Sequence, residues 1–119
     1  MEWITSTLIV LIALVHFGIL ALEMFGWESV GPKVFKQFSA DFFPITKAMA
    51  ANQGLYNGFL GAGLLWSRMI SDPWAWNIAL FFLLCVFVAG LYGAATISRR
   101  IAYVQAVPAA VAILLLLVL

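Results

Sequence analysis

Charge is scarce in this chain: Asp, Glu, Lys and Arg make up 9% of its 119 residues, and four long stretches hold none. There is one cysteine, Cys85, and one histidine, His16. A single cysteine excludes an intramolecular disulfide and any cysteine-based metal cluster within one chain. At mid-stretch Cys85 reads as a small apolar packing residue. A catalytic zinc needs three protein ligands, and this ligand count is lacking, so neither a metal nor another cofactor is expected. No serine or cysteine nucleophile is paired with a nearby base, which argues against covalent hydrolysis. A net charge of +1 gives no attraction for nucleic acid. There is no room for a linker or a soluble module, so residues 1–119 read as one domain.

What fills the chain instead is apolar: 66% of it is hydrophobic. The uncharged stretches are 3–22, 48–67, 74–98 and 101–119, together 84 residues. A bilayer core roughly 30 Å thick takes about 20 helical residues to cross. Backbone amides in lipid must be satisfied within their own segment, so the spans should be helices. The sequence therefore predicts an all-α protein, a bundle of four transmembrane helices over 4–24, 45–66, 74–97 and 101–118. The first span starts with Glu2 rather than a basic segment and three more follow, so it is expected to be retained rather than cleaved as a signal peptide.

Trp3, Trp66, Trp74 and Trp76 fall at one set of span ends and Trp27 at the other, at headgroup level. The loops on one side carry Lys33, Lys36, Lys47, Arg99 and Arg100; the other side has Arg68, with Glu2 and Asp72. The positive-inside rule places both termini outside the cytoplasmic (inner) membrane and the basic loops within. Between the first two spans, Phe35, Phe38 and Phe42 recur at three- and four-residue spacing. This predicts a short amphipathic segment lying on the inner leaflet; the plainer reading is an irregular loop whose phenylalanines touch the bundle.

The polar residues inside the spans are the functional signal. His16 and Glu23 are about 10 Å apart along one face of the first helix, with Thr5 and Trp27 on the same stripe. The second span opens with Asn52, Gln53, Tyr56 and Asn57, an arc of about 140°. Tyr92 and Thr96 end the third, and Gln105 begins the fourth, one turn before Pro108. All lie toward the cytoplasmic ends, while the outer halves are almost purely apolar. Chance would scatter such residues over both leaflets. Their one-sided placement predicts a single polar cavity open to the cytoplasm or inner leaflet, since costly intramembrane polar groups face a bundle interior. Each residue also has a plainer role: Glu23 snorkelling to headgroups, His16 as a hydrogen-bonded packing residue, the amides as interhelical bonds. Gly54, Gly58 and Ala62 form a ridge of small residues read as turned away from the polar arc. Ala89–Gly93 and Gly90–Ala94 form others, read as packing seams that would also serve a homodimer.

The run Asn52-Gln53-Gly54-Leu55-Tyr56-Asn57-Gly58-Phe59-Leu60 is distinctive. With it come His16, Leu22-Glu23-Met24, Trp27, Ala89-Gly90-Leu91-Tyr92-Gly93, Thr96, Gln105 and Pro108. Over essentially the whole chain these resemble the small bacterial four-helix membrane family known as domain of unknown function 1304. That resemblance implies the fold; some members carry an epimerase or isomerase label.

Three functions suit these residues. In an intramembrane isomerase or epimerase, His16 and Glu23 would act as acid and base on a small amphipathic or lipid-soluble ligand. Asn52, Gln53, Tyr56, Asn57, Tyr92, Thr96 and Gln105 would bind and orient it. In a small proton-coupled transporter Glu23 would carry the proton, although a midplane site and an inverted repeat are expected there. A non-catalytic subunit binding lipid or quinone would use the same pocket. Membrane lipids are the expected surroundings in each case.

Overall fold

The computed structural model describes residues 2–119. It is helical throughout, with no strand among the described residues. Four long or joined helical segments are α1 (Glu2–Phe25), α4 (Lys47–Ser67), α5 (Trp74–Thr96), and a π-helical turn (Ala102–Ala106) that runs into α6 (Val107–Val118). Two single-turn helices, α2 (Gly31–Val34) and α3 (Phe42–Ile45), lie between α1 and α4. As helices, the long segments begin and end within two residues of the limits read from the uncharged runs.

Two helices, α1 and α5, are long and apolar enough to cross a membrane. Only 22% of each apolar window is buried, whereas the core helix of a water-soluble protein hides most of its apolar surface. Leu11 and Leu14 on α1, and Phe81, Val88 and Leu91 on α5, point outward. By contrast α4 has the length but carries Asn52, Gln53 and Asn57 in its first half.

The chain forms two compact units. One comprises the chain up to Leu14 together with Leu60–Leu119. Its core joins Ile9, Ile12 and Ala13 of α1, Leu64 of α4, Ala79, Leu83 and Val86 of α5, and Ala109 and Ala112 of α6. These recur at three- and four-residue steps, the spacing that puts side chains on one helix face. Small residues set how closely the elements approach. A methyl group on Gly90 would meet the Ala106 nitrogen at 2.6 Å, and one on Gly93 would meet Ile101 Cγ2 at 2.9 Å. Gly63 lies against the ring of Phe82 in the same way. The seams expected on the third span are thus packing seams, formed by Gly90 and Gly93.

The π-turn has a local cause. Pro108 has no N–H and its ring crowds the carbonyl four residues back, so the α register is disfavoured there. The chain widens instead: the Val107 N–H donates to the Ala102 carbonyl five residues earlier. Gln105 sits in this widened turn, half-buried.

The second unit is Val15–Phe59. Its centre is an aromatic cluster in which Trp27 and Phe43 are buried and Phe35, Phe38 and Phe42 pack around them. Trp27 lies 5.2 Å from Phe43 and 5.7 Å from Phe35 between ring centroids, and Phe38 stacks on Phe42 at 4.2 Å. The indole Nε1–H donates to Thr46 Oγ1 at 2.9 Å, and that hydroxyl donates to the Phe42 carbonyl at 2.7 Å. The expectation of a short amphipathic segment changes here. Trp27 is 8% exposed and faces the cluster. Phe35, with ψ of 74°, ends α2 and leaves helical conformation. The phenylalanines therefore do not share one amphipathic helix; they close a folded loop over Trp27. Burying several rings against a tryptophan outweighs the backbone bonds of a short helix, since each aromatic hides about 150–250 Å².

Candidate functional site

Glu23 is held by the second unit. Its Oε1 accepts a hydrogen bond from Asn57 Nδ2 at 2.7 Å, and the same amide nitrogen donates to the Gln53 carbonyl at 3.1 Å. Glycine makes this possible. A methyl group on Gly54 would meet Met24 Cγ at 2.7 Å, Glu23 Cβ at 3.0 Å and the Leu20 carbonyl at 3.2 Å; one on Gly58 would meet Leu20 Cδ1 at 2.5 Å. With no Cβ at either position, α4 closes on the last turns of α1 and brings Asn57 into range of Glu23. The glycine ridge is thus not turned away from the polar residues: Asn57 shares its face, three residues from Gly54 and next to Gly58. Ala62, expected to continue the ridge, is exposed. A carboxylate that accepts from an amide in a half-buried setting has a fixed orientation.

Of the other residues singled out by sequence, His16 is fully buried on the inner stripe of α1, with Thr5, Ile9, Ile12 and Ala13. Asn52, Gln53 and Tyr56 are exposed on α4; Tyr56 packs edge-on to Phe59 at 5.9 Å. In the other unit Tyr92 and Thr96 are exposed, and the Thr96 hydroxyl donates to the Tyr92 carbonyl at 2.7 Å. The structure joins Glu23 and Asn57 by a side-chain hydrogen bond.

A second polar group, in the first unit, was not singled out by sequence beyond its charge. Arg68 follows α4 directly. Its Nε donates to Ser67 Oγ at 3.1 Å, Nη1 to Ser6 Oγ at 2.9 Å and Nη2 to the Ala75 carbonyl at 3.4 Å. Ser67 is fully buried and donates to the Leu64 carbonyl at 2.6 Å. One guanidinium thereby ties the start of α1, the end of α4 and the start of α5. Burial lowers its pKa from the ordinary arginine value, while Asp72 and Glu2 pull it back up. It lines an open cavity of about 530 Å³ with Glu2, Ser6, Ser71 and Asp72. The one sequence signal was Arg68 standing beside Ser67 at a span end, four residues before Asp72. Ser6 and Ala75 come from other helices, so spacing could not have added them.

No solved structure matches the chain. It is similar to the uncharacterized protein YpaA of Lactococcus lactis subsp. lactis (strain IL1403), with 31% identity over 107 residues, 88% of this chain and 89% of that protein. The family described as "Protein of unknown function (DUF1304)" matches over residues 10–117, and the chain belongs to that family.

Proposed function

We propose that this is an integral inner-membrane protein with four spans and both termini outside. In this reading its inner-leaflet half binds a small amphipathic molecule and isomerises or epimerises it, with Glu23 as the proton-exchanging group. The observation that carries the reading is the 2.7 Å bond from Asn57 to Glu23 Oε1. It orients one carboxylate oxygen and leaves the other for a ligand's proton. Outward-facing Leu11, Leu14, Phe81 and Val88 support a lipid surround. The five basic residues Lys33, Lys36, Lys47, Arg99 and Arg100 support the orientation. Asn52, Gln53 and Tyr56, next to Asn57 on α4, supply donors and acceptors that would hold a carbonyl or hydroxyl.

One observation favours the non-catalytic reading. His16 has no solvent exposure, and an imidazole so enclosed acts on Glu23's ligand only if the site opens. Ligand retention separates a site from a bare packing contact. Wild type, Glu23→Gln and Asn57→Leu are purified in mild detergent and their organic extracts compared by mass spectrometry. An amphipathic species should remain with wild type and Glu23→Gln, whose amide oxygen still accepts from Asn57, and be lost from folded Asn57→Leu. The same background in all three extracts would overturn the site.

A further inference from the structure

The cavity beside Arg68 is distinct from the Glu23 site, and it continues into an apolar groove. The groove, about 580 Å³, is lined by Trp66, Trp74 and Ile78 and shares Ile70, Ser71 and Asp72 with the cavity. A charged compartment thus opens onto an aromatic and aliphatic one, within a single unit. The charged compartment holds both signs. Arg68 donates to three neutral oxygens, of Ser67, Ser6 and Ala75. Among the described residues no carboxylate is within ion-pair distance of it; the ion pair they form, Lys47–Glu28, belongs to the other unit. Asp72 and Glu2 line the same cavity and act on Arg68 through the field alone.

We propose that this cavity and groove bind a zwitterionic phospholipid of the phosphatidylethanolamine type, its phosphate on Arg68, its ammonium on Asp72 and Glu2, and an acyl chain along Trp66, Trp74 and Ile78. The guanidinium is the side chain best matched to phosphate oxygens. A lone phosphate meets two carboxylates against one cation, so a purely anionic lipid is disfavoured; an attached ammonium reverses that balance. A primary ammonium also donates hydrogen bonds to the carboxylates, which a quaternary one cannot. The groove tryptophans are half-exposed to exposed, at 51% for Trp66 and 67% for Trp74, as indoles at headgroup level are. This inference requires that the ends of α4 and α5 meet lipid. It does not require acid–base chemistry at Glu23.

Native mass spectrometry of the full chain in mild detergent tests it, with phosphatidylethanolamine, phosphatidylglycerol and phosphatidylcholine of identical chains added at equal concentration. Wild type should retain phosphatidylethanolamine at least about tenfold over either competitor. Arg68→Gln should lose that adduct. Because Arg68 also ties three helices and its loss could unfold the end of the bundle, Asp72→Asn provides the second arm. Asp72 is exposed, and its neutralisation should lower phosphatidylethanolamine retention and raise phosphatidylglycerol retention in a folded protein. Equal retention of the three lipids, or an unchanged preference in Asp72→Asn, overturns the proposal. So does equal retention of soluble phosphoethanolamine and the lipid at equal concentrations, which would show that the groove adds no acyl-chain affinity.

Discussion

Replacing Gly90 by alanine should weaken this protein, although alanine is the better helix former. An added methyl group meets the Ala106 nitrogen at 2.6 Å, Gln105 Cβ at 2.9 Å and Ala106 Cα at 3.0 Å. Two of these are backbone atoms of the π-turn, which no rotamer change can move aside. Relief requires α5 and the turn to separate, loosening contacts at Ala109 and below. Overpacking of this kind costs about 1–3 kcal/mol, against roughly 0.5–1 kcal/mol gained by replacing a mid-helix glycine. Taking the middle of each range, the net loss is about 1 kcal/mol. For a chain of this size that is a fall in Tm of roughly 4–8 °C, read by circular dichroism in detergent. Gly18 on α1 is the control. Nothing lies within 4 Å of a methyl group placed there, so Gly18→Ala should raise Tm by a few degrees, about 2–4 °C. If Gly90→Ala melts at or above wild type, α5 and the π-turn are not in the close contact described, and the reasoning fails.

Asn57→Ala should cost about 1.5–3 kcal/mol, the range for a hydrogen bond to a charged group, while Glu23→Gln should cost under about 1 kcal/mol because its amide oxygen still accepts. Equal losses in the two variants would show that the Asn57–Glu23 bond contributes little. With Cys85 replaced by alanine, a cysteine at Lys36 should react with an impermeant thiol reagent only after the inner face is exposed. One at Glu2 should react from outside intact cells, and the reverse pattern would refute the orientation and with it the inner-leaflet placement of the Glu23 site.

The helix limits are legible because charges are confined to the helix ends: Glu2, Lys47 and Arg68 bracket apolar runs whose lengths leave little choice. The inner stripe of α1 is legible too. Thr5, His16 and Glu23 share a face by spacing alone, and the first two are buried. What spacing cannot convey is which partner a face meets. The Gly54–Gly58 ridge and Asn57 point to one helix because a ridge is a wide strip and Asn57 lies on its edge. That α1 fills it, through Leu20, Glu23 and Met24, depends on where the loop returns the chain. The loop itself misleads: Phe35, Phe38 and Phe42 have helical spacing, yet their rings gather on Trp27 from a largely non-helical backbone. The π-turn needs both Pro108 and the backbone gap opposite Gly90. The Arg68 cavity needs Ser6, 62 residues earlier, and Ala75, at the start of the next helix. Local composition carries each element, and convergence of distant elements carries each site.

The central claim is that Glu23 exchanges protons with a bound amphipathic molecule, and solvent isotope wash-in tests it whatever the substrate is. Protein in phospholipid vesicles is incubated in D2O with a bacterial lipid extract, and the extract is then analysed by mass spectrometry for deuterium at carbon. Wild type should place one deuterium per turnover in a discrete species. Glu23→Gln should slow this by about 10²–10⁴-fold, the usual contribution of general acid–base catalysis. Deuterium entering at the wild-type rate in Glu23→Gln, or no species labelled by wild type at all, would contradict the account.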